Sequence, residues 1–560
     1  MNVKKIIASN IKLENIDINL ESLITENPDK SMGDYSIACF SLAKILRKSP
    51  LQIANDIKEN FNDYSIVEKV ECVNGYVNFF LNKKIFVKDV LTEIYEDNFL
   101  SKNAMPKTIC LDYSSVNLAK YMHIGHLSTT IIGESLARIY EENGNKVVRI
   151  NYIGDYGTPF GKMIYAHLTW GNDEELNARG VDYLQDLYVE FCKRANDSPI
   201  LEEYARDYFK KICDKDPKIY PLFLKFIEIS KVEAKRLLDL LDVHFDSWKG
   251  ESSYSEDLDK IVKLLDNKNL LIESQGAKVV DLEKYNLGTC LIQKSDGTSL
   301  YATRDICAAI DRYNTYKFDK MIYVTAVQQK LHFEQFFKVL ELLGYDFSKN
   351  LCHIYYGMFS LPTGKIASRK GKQAVLVDLM DIALKKVNSI ISEREFSEEN
   401  KNEIAKKIAY SALKYTAIKN ERIKDTVFDI ETAFNFDGDT SAYLQYTYTR
   451  ICSILRKSQY KINFDNIDYS HLSTEIVTNI ILALNNYSSF VAKAMEQNEP
   501  SILCKYTLDI CKMFNKFYNQ EKVITENKDA TNAKLYLLVN IKKILTRLFH
   551  LICIDTIEEM

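Results

Sequence analysis

From about residue 106 the chain alternates short apolar runs with a longer amphipathic one: TICLDYSS (108–115), HLSTTIIGESLARIYEENG (126–144) and NKVVRINYIG (145–154). Strand, helix and strand in that order predict a parallel sheet, because parallel neighbours must be joined by a crossover of helical length. Asn143-Gly144 stops the helix, as glycine just past the last turn commonly does. The rhythm returns at MIYVTAV (321–327), HFEQFFKVLELLG (332–344) and CHIYYGMF (352–359). Between these stretches lie long helical periodicity (DEELNARGVDYLQDLYVEFCKRA, FLKFIEISKVEAKRLLDLLDV) and a β segment with an Asp296-Gly297 turn, read as an insertion at about 165–290.

At 560 residues the chain exceeds the roughly 250–300 at which a single core stops growing, so several domains are expected. Residues 1–105 read as an α+β unit, with the amphipathic run SMGDYSIACFSLAKILRKSPLQIANDIKENF taken as helices and VECVNGYVNFFLN as a following short sheet. Residues 106–375 carry the parallel sheet, and 376–560 are dominated by helical periodicity. With 46% hydrophobic and 27% charged residues, disordered and fibrous classes are excluded. A net charge of −4 argues against sequence-blind adhesion to polyphosphate but leaves room for a local basic face. None of the 12 cysteines forms a C-x-x-C pair, so reduced thiols are expected, with no metal held by the protein. The start lacks a secretory apolar region and no window offers about 18 uninterrupted apolar residues, so a cytoplasmic protein off the membrane is expected.

The sharpest local signal is His123-Ile124-Gly125-His126, after the first strand and at the mouth of the next helix. A strand-to-helix turn aims backbone N–H groups and the positive end of the helix dipole at an anion, so phosphate is the natural ligand. Two histidines at i, i+3 can donate to phosphate oxygens or stack near a purine, and Gly125 lets a nucleotide approach closely.

Residues 111–162, LDYSSVNLAKYMHIGHLSTTIIGESLARIYEENGNKVVRINYIGDYGTPFGK, resemble the signature region of the arginyl-tRNA synthetases, a class I family. The resemblance implies a Rossmann-type catalytic sheet with an insertion, an α+β N-terminal domain meeting the corner of tRNA and a C-terminal helical anticodon-binding bundle. It implies an arginine–tRNA ligase that uses ATP, with Mg²⁺ brought by the nucleotide, and tRNA(Arg) as partner; a monomer is expected. His123, Gly125, His126 and Lys120 would then be catalytic, joined by Lys365 in KIASRKG, where Ser368 replaces the second lysine of the family's loop. Lys365, Arg369 and Lys370 would contact ATP alongside the histidines. By resemblance Asp112, Tyr301 and Asp305 face the guanidinium, while Ser115, Asn117 and Gln329 hold the α-ammonium and carboxylate.

FNFDGDTSAYLQYTYTRICSILRK (434–457) resembles the start of the anticodon-binding domain, with Tyr443, Tyr446 and Arg450 as tRNA contacts and Tyr448, Arg456 and Lys457 beside them. Lys407, Lys414, Lys419, Arg422 and Lys424 read as a positive patch. Plainer readings stay open: Asp305 as a surface charge paired with Arg304, Tyr301 and the tyrosine stripe as core, the lysines as solvated. Two departures stand out: Val116 replaces the family's proline, which should loosen a turn, and Ser128 stands in place of an arginine. The alternative class is a synthetase-like paralogue that binds tRNA or arginine without catalysis.

Overall fold

The computed structural model describes residues 2–13, 18–100, 105–118, 120–295, 301–362, 375–392, 398–458 and 460–559. Strands β1 (Ile24–Glu26), β2 (Tyr35–Ala38), β3 (Val67–Val73) and β4 (Tyr76–Leu81) form an antiparallel sheet in the order β1-β2-β4-β3. Asn74 and Gly75, both at positive φ, join β3 to β4 in a two-residue turn whose twist suits the strands. The expectation of helices followed by a sheet is corrected here, because β2 precedes the helices Phe40–Leu46 and Pro50–Asn60. Tyr35 and Ile37 are buried and β2 pairs on both sides, so ladder bonds and core contacts override the helical spacing of that run.

The second sheet is parallel throughout: β5 (Thr108–Asp112), β6 (Lys146–Ile150), β10 (Lys320–Ala326) and β11 (Leu351–Tyr356), ordered β11-β10-β5-β6. Each lies where the apolar runs placed it. Helix Ile124–Glu142 crosses from β5 to β6 and is buried on every side from His126 to Tyr140, as expected of a helix sandwiched between layers. Between β6 and β10 the chain forms five successive helices (158–240) around their own core of Phe160, Phe191, Phe223 and Phe226. A three-stranded antiparallel sheet, β7 (Leu271–Ser274), β8 (Ala277–Asp281) and β9 (Thr289–Gln293), follows. The Asp296-Gly297 turn lies outside the described residues.

Helices from Leu376 to Leu551 build the C-terminal bundle, and its last turn reaches the buried helix of the parallel-sheet layer, where Leu551 accepts from Ser135. A short pair unseen in the sequence, β12 (Phe359–Ser360) with β13 (Thr426–Val427), fastens the end of the parallel sheet to that bundle. Glu134, on the buried helix, is the hub: its carboxylate accepts from Tyr113 Oη at 2.6 Å, Arg138 Nε at 2.7 Å and Arg149 Nε at 3.2 Å. Arg138 continues to the carbonyls of Asp242 at 2.6 Å and His550 at 3.0 Å. Removing the carboxylate would leave the buried Tyr113 hydroxyl without its acceptor and take from Arg138 and Arg149 the buried charge they share, leaving each only a more exposed carboxylate, Asp242 and Glu141. Glu134→Ala should therefore lower stability by about 3–5 kcal/mol, read as an earlier urea transition of the parallel-sheet unit; an unshifted transition would remove Glu134 from this role.

Candidate active site

A parallel sheet offers its ligand crevice beyond the carboxyl ends of its strands, where the connections turn to opposite sides. Here β5 connects to β6 on one flank while β10 occupies the other, so the crevice opens above β5 and β10. A cleft of about 780 Å³ lies there. It is lined by Asp112, Ser115 and Asn117 from the β5 exit, His123, Gly125 and His126, then Tyr301, Asp305 and Gln329. Positions spread over more than two hundred residues of sequence are thus gathered in one cavity.

The β5 exit is bent by Ser114 and Ser115, both at positive φ (69° and 46°), a conformation non-glycine residues hold only when their surroundings fix it. Ser115 Oγ donates to Asp112 Oδ1 at 3.2 Å. Val116, where the family has proline, donates its N–H to Asn151 Oδ1 at 3.3 Å, a bond proline could not make. Gly154 presses against Asn117, and a Cβ there would lie 2.2 Å from Asn117 Oδ1. At the other departure, Ser128 Oγ is buried with no hydrogen-bond partner among the described residues.

At the helix start, His123 Nδ1 accepts from Gly125 N–H at 3.1 Å and His126 Nδ1 accepts from His123 N–H at 3.0 Å, with ring centroids 3.9 Å apart. Both Nδ1 atoms being acceptors, each ring carries its proton on Nε2 and can donate from there. Burial, helped by Lys120, holds the His123 imidazole below its usual range; burial and the neighbouring His123 push His126 down to about 3. These are neutral hydrogen-bond donors. Gly125 is required for the stack, since a Cβ would meet His123 Cε1 at 2.9 Å.

Around the other half of the cleft, charges are paired. Asp112 is buried and its Oδ2 lies 2.8 Å from Arg312 Nη2, so both its oxygens are already engaged. Burial raises the Asp112 carboxyl, and Arg312 pulls it back; burial works against the Arg312 charge, but Asp112 and surrounding phenols raise it well above its usual value. Asp305 does not pair with Arg304: it meets His332 Nε2 at 2.6 Å, while Arg304 Nη1 donates to Glu251 Oε2 at 3.1 Å. Tyr301 is not core; it is 65% exposed at the cleft rim.

Glu251, Tyr152, Tyr323 and His332 also line the cleft and were not singled out from the sequence. Glu251 lies within the inserted region, where nothing local marks it; Tyr152 and Tyr323 sit in the apolar runs of β6 and β10, where a tyrosine reads as core. Tyr152 Oη is buried with no hydrogen-bond partner among the described residues, poised for a ligand atom. Burial pushes the Glu251 carboxyl up to about 7, Arg304 opposing and Asp305 and Asp155 adding to it.

Lys120 is outside the cleft lining; its ammonium stands 5.0 Å from the centre of the Tyr188 ring. Lys365, Arg369 and Lys370 lie outside the described residues. In the bundle, Arg450 is sandwiched between Tyr446 (4.8 Å) and Tyr518 (5.0 Å) beside a groove of about 900 Å³ that Arg456 and Lys457 also line. Tyr443 Oη accepts from Asn515 Nδ2 at 3.0 Å. Tyr448 is corrected to core, 2% exposed. The positive patch is corrected too: Lys414 is 2% exposed and paired with Asp555 at 3.0 Å, and Arg422 donates to the Tyr355 carbonyl at 2.6 Å.

Residues 88–430 match the family described as tRNA synthetases class I (R), catalytic domain. The chain belongs to the class I arginyl-tRNA synthetases. Residues 1–81 match the arginyl tRNA synthetase N terminal domain and 444–560 the DALR anticodon binding domain. An arginine–tRNA ligase of Clostridium perfringens is 41% identical over 567 residues, covering 100% of both chains; one of Clostridioides difficile is 40% identical, covering 97% of this chain and 96% of that one. In fold, the chain resembles the Thermus thermophilus arginyl-tRNA synthetase (TM-score 0.80, 23% identity, 100% and 99% covered) and the Plasmodium falciparum one (TM-score 0.79, 24% identity, 96% and 94% covered).

Because Gly154 and Asn117 touch, Gly154→Ala must displace the Asn117 amide from the cleft. Amino-acid-dependent pyrophosphate exchange should fall by at least about tenfold, since small misplacements of positioning groups are expensive. Unchanged exchange would separate Asn117 from the site.

Proposed function

We propose that this chain charges tRNA with arginine: the arginine carboxylate attacks the α-phosphorus of ATP, pyrophosphate leaves, and the arginyl group passes from the adenylate to the terminal ribose of tRNA(Arg). The observation that carries the reading is one cleft lined on one side by two neutral imidazole donors and on the other by acidic and phenolic acceptors. The first half suits phosphates at a helix N-terminus; the second suits a flat guanidinium, which needs in-plane acceptors.

In this reading the Nε2–H groups of His123 and His126 meet the phosphate oxygens as charge shifts toward pyrophosphate. Asp305, Glu251 and Tyr301 receive the guanidinium, with Asp112 acting through Arg312 as a fixed wall. Ser115, Asn117, Gln329 and the Tyr152 hydroxyl hold the α-ammonium and carboxylate. Lys120 and the loop lysine Lys365, with Arg369 and Lys370, approach the leaving pyrophosphate. Mg²⁺ is proposed to ride on the nucleotide, adding charge neutralisation there. The Tyr446–Arg450–Tyr518 stack is proposed to take an anticodon base, with Tyr443 beside it. The three-part division at about 105 and 375, a monomeric state and a cytoplasmic location complete the proposal; among the described residues no helix is long and apolar enough to cross a membrane.

Pyrophosphate exchange with each of the twenty amino acids, with and without tRNA, tests the reading. Arginine alone should support exchange, and only with tRNA present; tRNA binding with no arginine-dependent exchange would favour a non-catalytic paralogue. Asp305→Ala should raise the arginine KM about a hundredfold, the equivalent of about 3 kcal/mol, by leaving the guanidinium short of an acceptor. Glu251 binds a cation only when ionised, and its carboxyl titrates near 7, so the arginine KM should fall as pH rises through that value. Glu251→Gln should flatten that part of the KM profile, and a profile identical to the parent's would remove Glu251 from the pocket.

A further inference from the structure

Three carboxylates line the cleft, and each has one oxygen held by an arginine or histidine of the chain itself. Asp112 Oδ2 is 2.8 Å from Arg312, Glu251 Oε2 is 3.1 Å from Arg304 and Asp305 Oδ2 is 2.6 Å from His332 Nε2. The first pair is closed, since Ser115 takes the other Asp112 oxygen. The other two leave Glu251 Oε1 and Asp305 Oδ1 without a hydrogen bond among the described residues.

This arrangement constrains how a guanidinium can be gripped. A lone carboxylate offers two oxygens side by side and takes the flat fork of donors bidentately. Oδ2 of Asp305 already accepts from His332, so Oδ1 alone is free of a bond within the described residues, and the imidazole sets which way the carboxylate is turned. The imidazole that enforces this is itself held. It projects from helix Lys330–Leu343, with ring centroids 5.5 Å from Phe333 and 5.6 Å from Phe336. Its side chain is 29% exposed and that of Asp305 22%, so the bond is half shielded from water, where a charge-assisted hydrogen bond holds better than at the surface.

We infer that His332 is a positioning residue for substrate recognition: its Nε2–H fixes Asp305 in the rotamer by which that carboxylate lines the cleft and receives the guanidinium. The inference rests on the arginine-charging reading and names a residue that acts through Asp305, without itself touching the substrate. Its consequence is selective. Loss of the imidazole should weaken whatever carries the guanidinium and spare whatever carries phosphate, because the histidine pair at the helix start does not depend on it.

The experiment measures tRNA-dependent pyrophosphate exchange for the full chain and for His332→Leu, His332→Gln and His332→Asn. The parent chain serves first: if it shows no arginine-dependent exchange, the functional reading itself fails. Given an active parent, His332→Leu should raise the arginine KM about tenfold or more while the ATP KM and kcat stay within about threefold. Inhibition by agmatine, which keeps the guanidinium and lacks the carboxylate, should weaken in parallel. His332→Gln, whose Nε2 can reach the place of the imidazole Nε2, should restore the arginine KM to within about threefold of the parent, whereas the shorter His332→Asn should not. If His332→Leu does not fold, the Gln and Asn variants carry the test through their difference. An arginine KM unmoved in His332→Leu would overturn the inference. So would a fall in kcat and rise in ATP KM of the same size, or equal behaviour of the Gln and Asn variants.

Discussion

The buried carboxylate of Glu134 holds the catalytic layer to the rest of the molecule. It sits on the helix that begins with the two site histidines and binds Tyr113 at the β5 exit, Arg138 one turn along the same helix and Arg149 on β6. Arg138 then reaches Asp242 and His550. A charge so deep is tolerable only when fully compensated, which gives the helix a single depth and rotation. The position of His123 and His126 over the sheet follows from that one seating. So does the contact between the catalytic sheet and the end of the C-terminal bundle, where Ser135 Oγ donates to the Leu551 carbonyl at 2.6 Å.

The site uses two electrostatic strategies side by side. Its histidine half is neutral: two imidazoles, deprived of charge by burial and locked in one tautomer by backbone N–H groups, hold their Nε2 donors in fixed places, as the proposed phosphate contact requires. Its cation-facing half is charged but balanced, every carboxylate having a partner from the chain. An unbalanced cluster of three carboxylates in a half-buried cleft would neutralise itself by taking up protons, and the raised Glu251 carboxyl shows how close this one comes.

Much of the scaffold was legible because it depends on short-range pattern. The runs 108–115, 321–327 and 352–359 hold the strands β5, β10 and β11, and 126–144 holds most of a helix that ends before Asn143, since apolar spacing and a glycine stop act within a few residues. Likewise Tyr301 and Asp305, one helical turn apart, do open on one cavity. The reading failed where partners are distant. SMGDYSIACF has helical spacing, yet β2 forms inside it because β4, some forty residues later, pairs with it. Lys414 looks like a surface cation but is buried on Asp555, 141 residues away. Glu251 and His332 carry no local signal, the one opening a short 3-10 turn and the other sitting in an ordinary amphipathic helix.

By itself the sequence determined the local elements, the strand-to-helix turn at His123–His126 and the family to which its motifs point, because backbone preference and side-chain periodicity are set by near neighbours. Only the tertiary structure decided which charges meet. Asp112 joins Arg312 and leaves the pocket's free acceptors to Asp305 and Glu251, an outcome fixed by gaps of about 3 Å between groups that the chain order keeps far apart. Coulomb and hydrogen-bond energies fall steeply over such gaps, so chain order cannot state them and packing must.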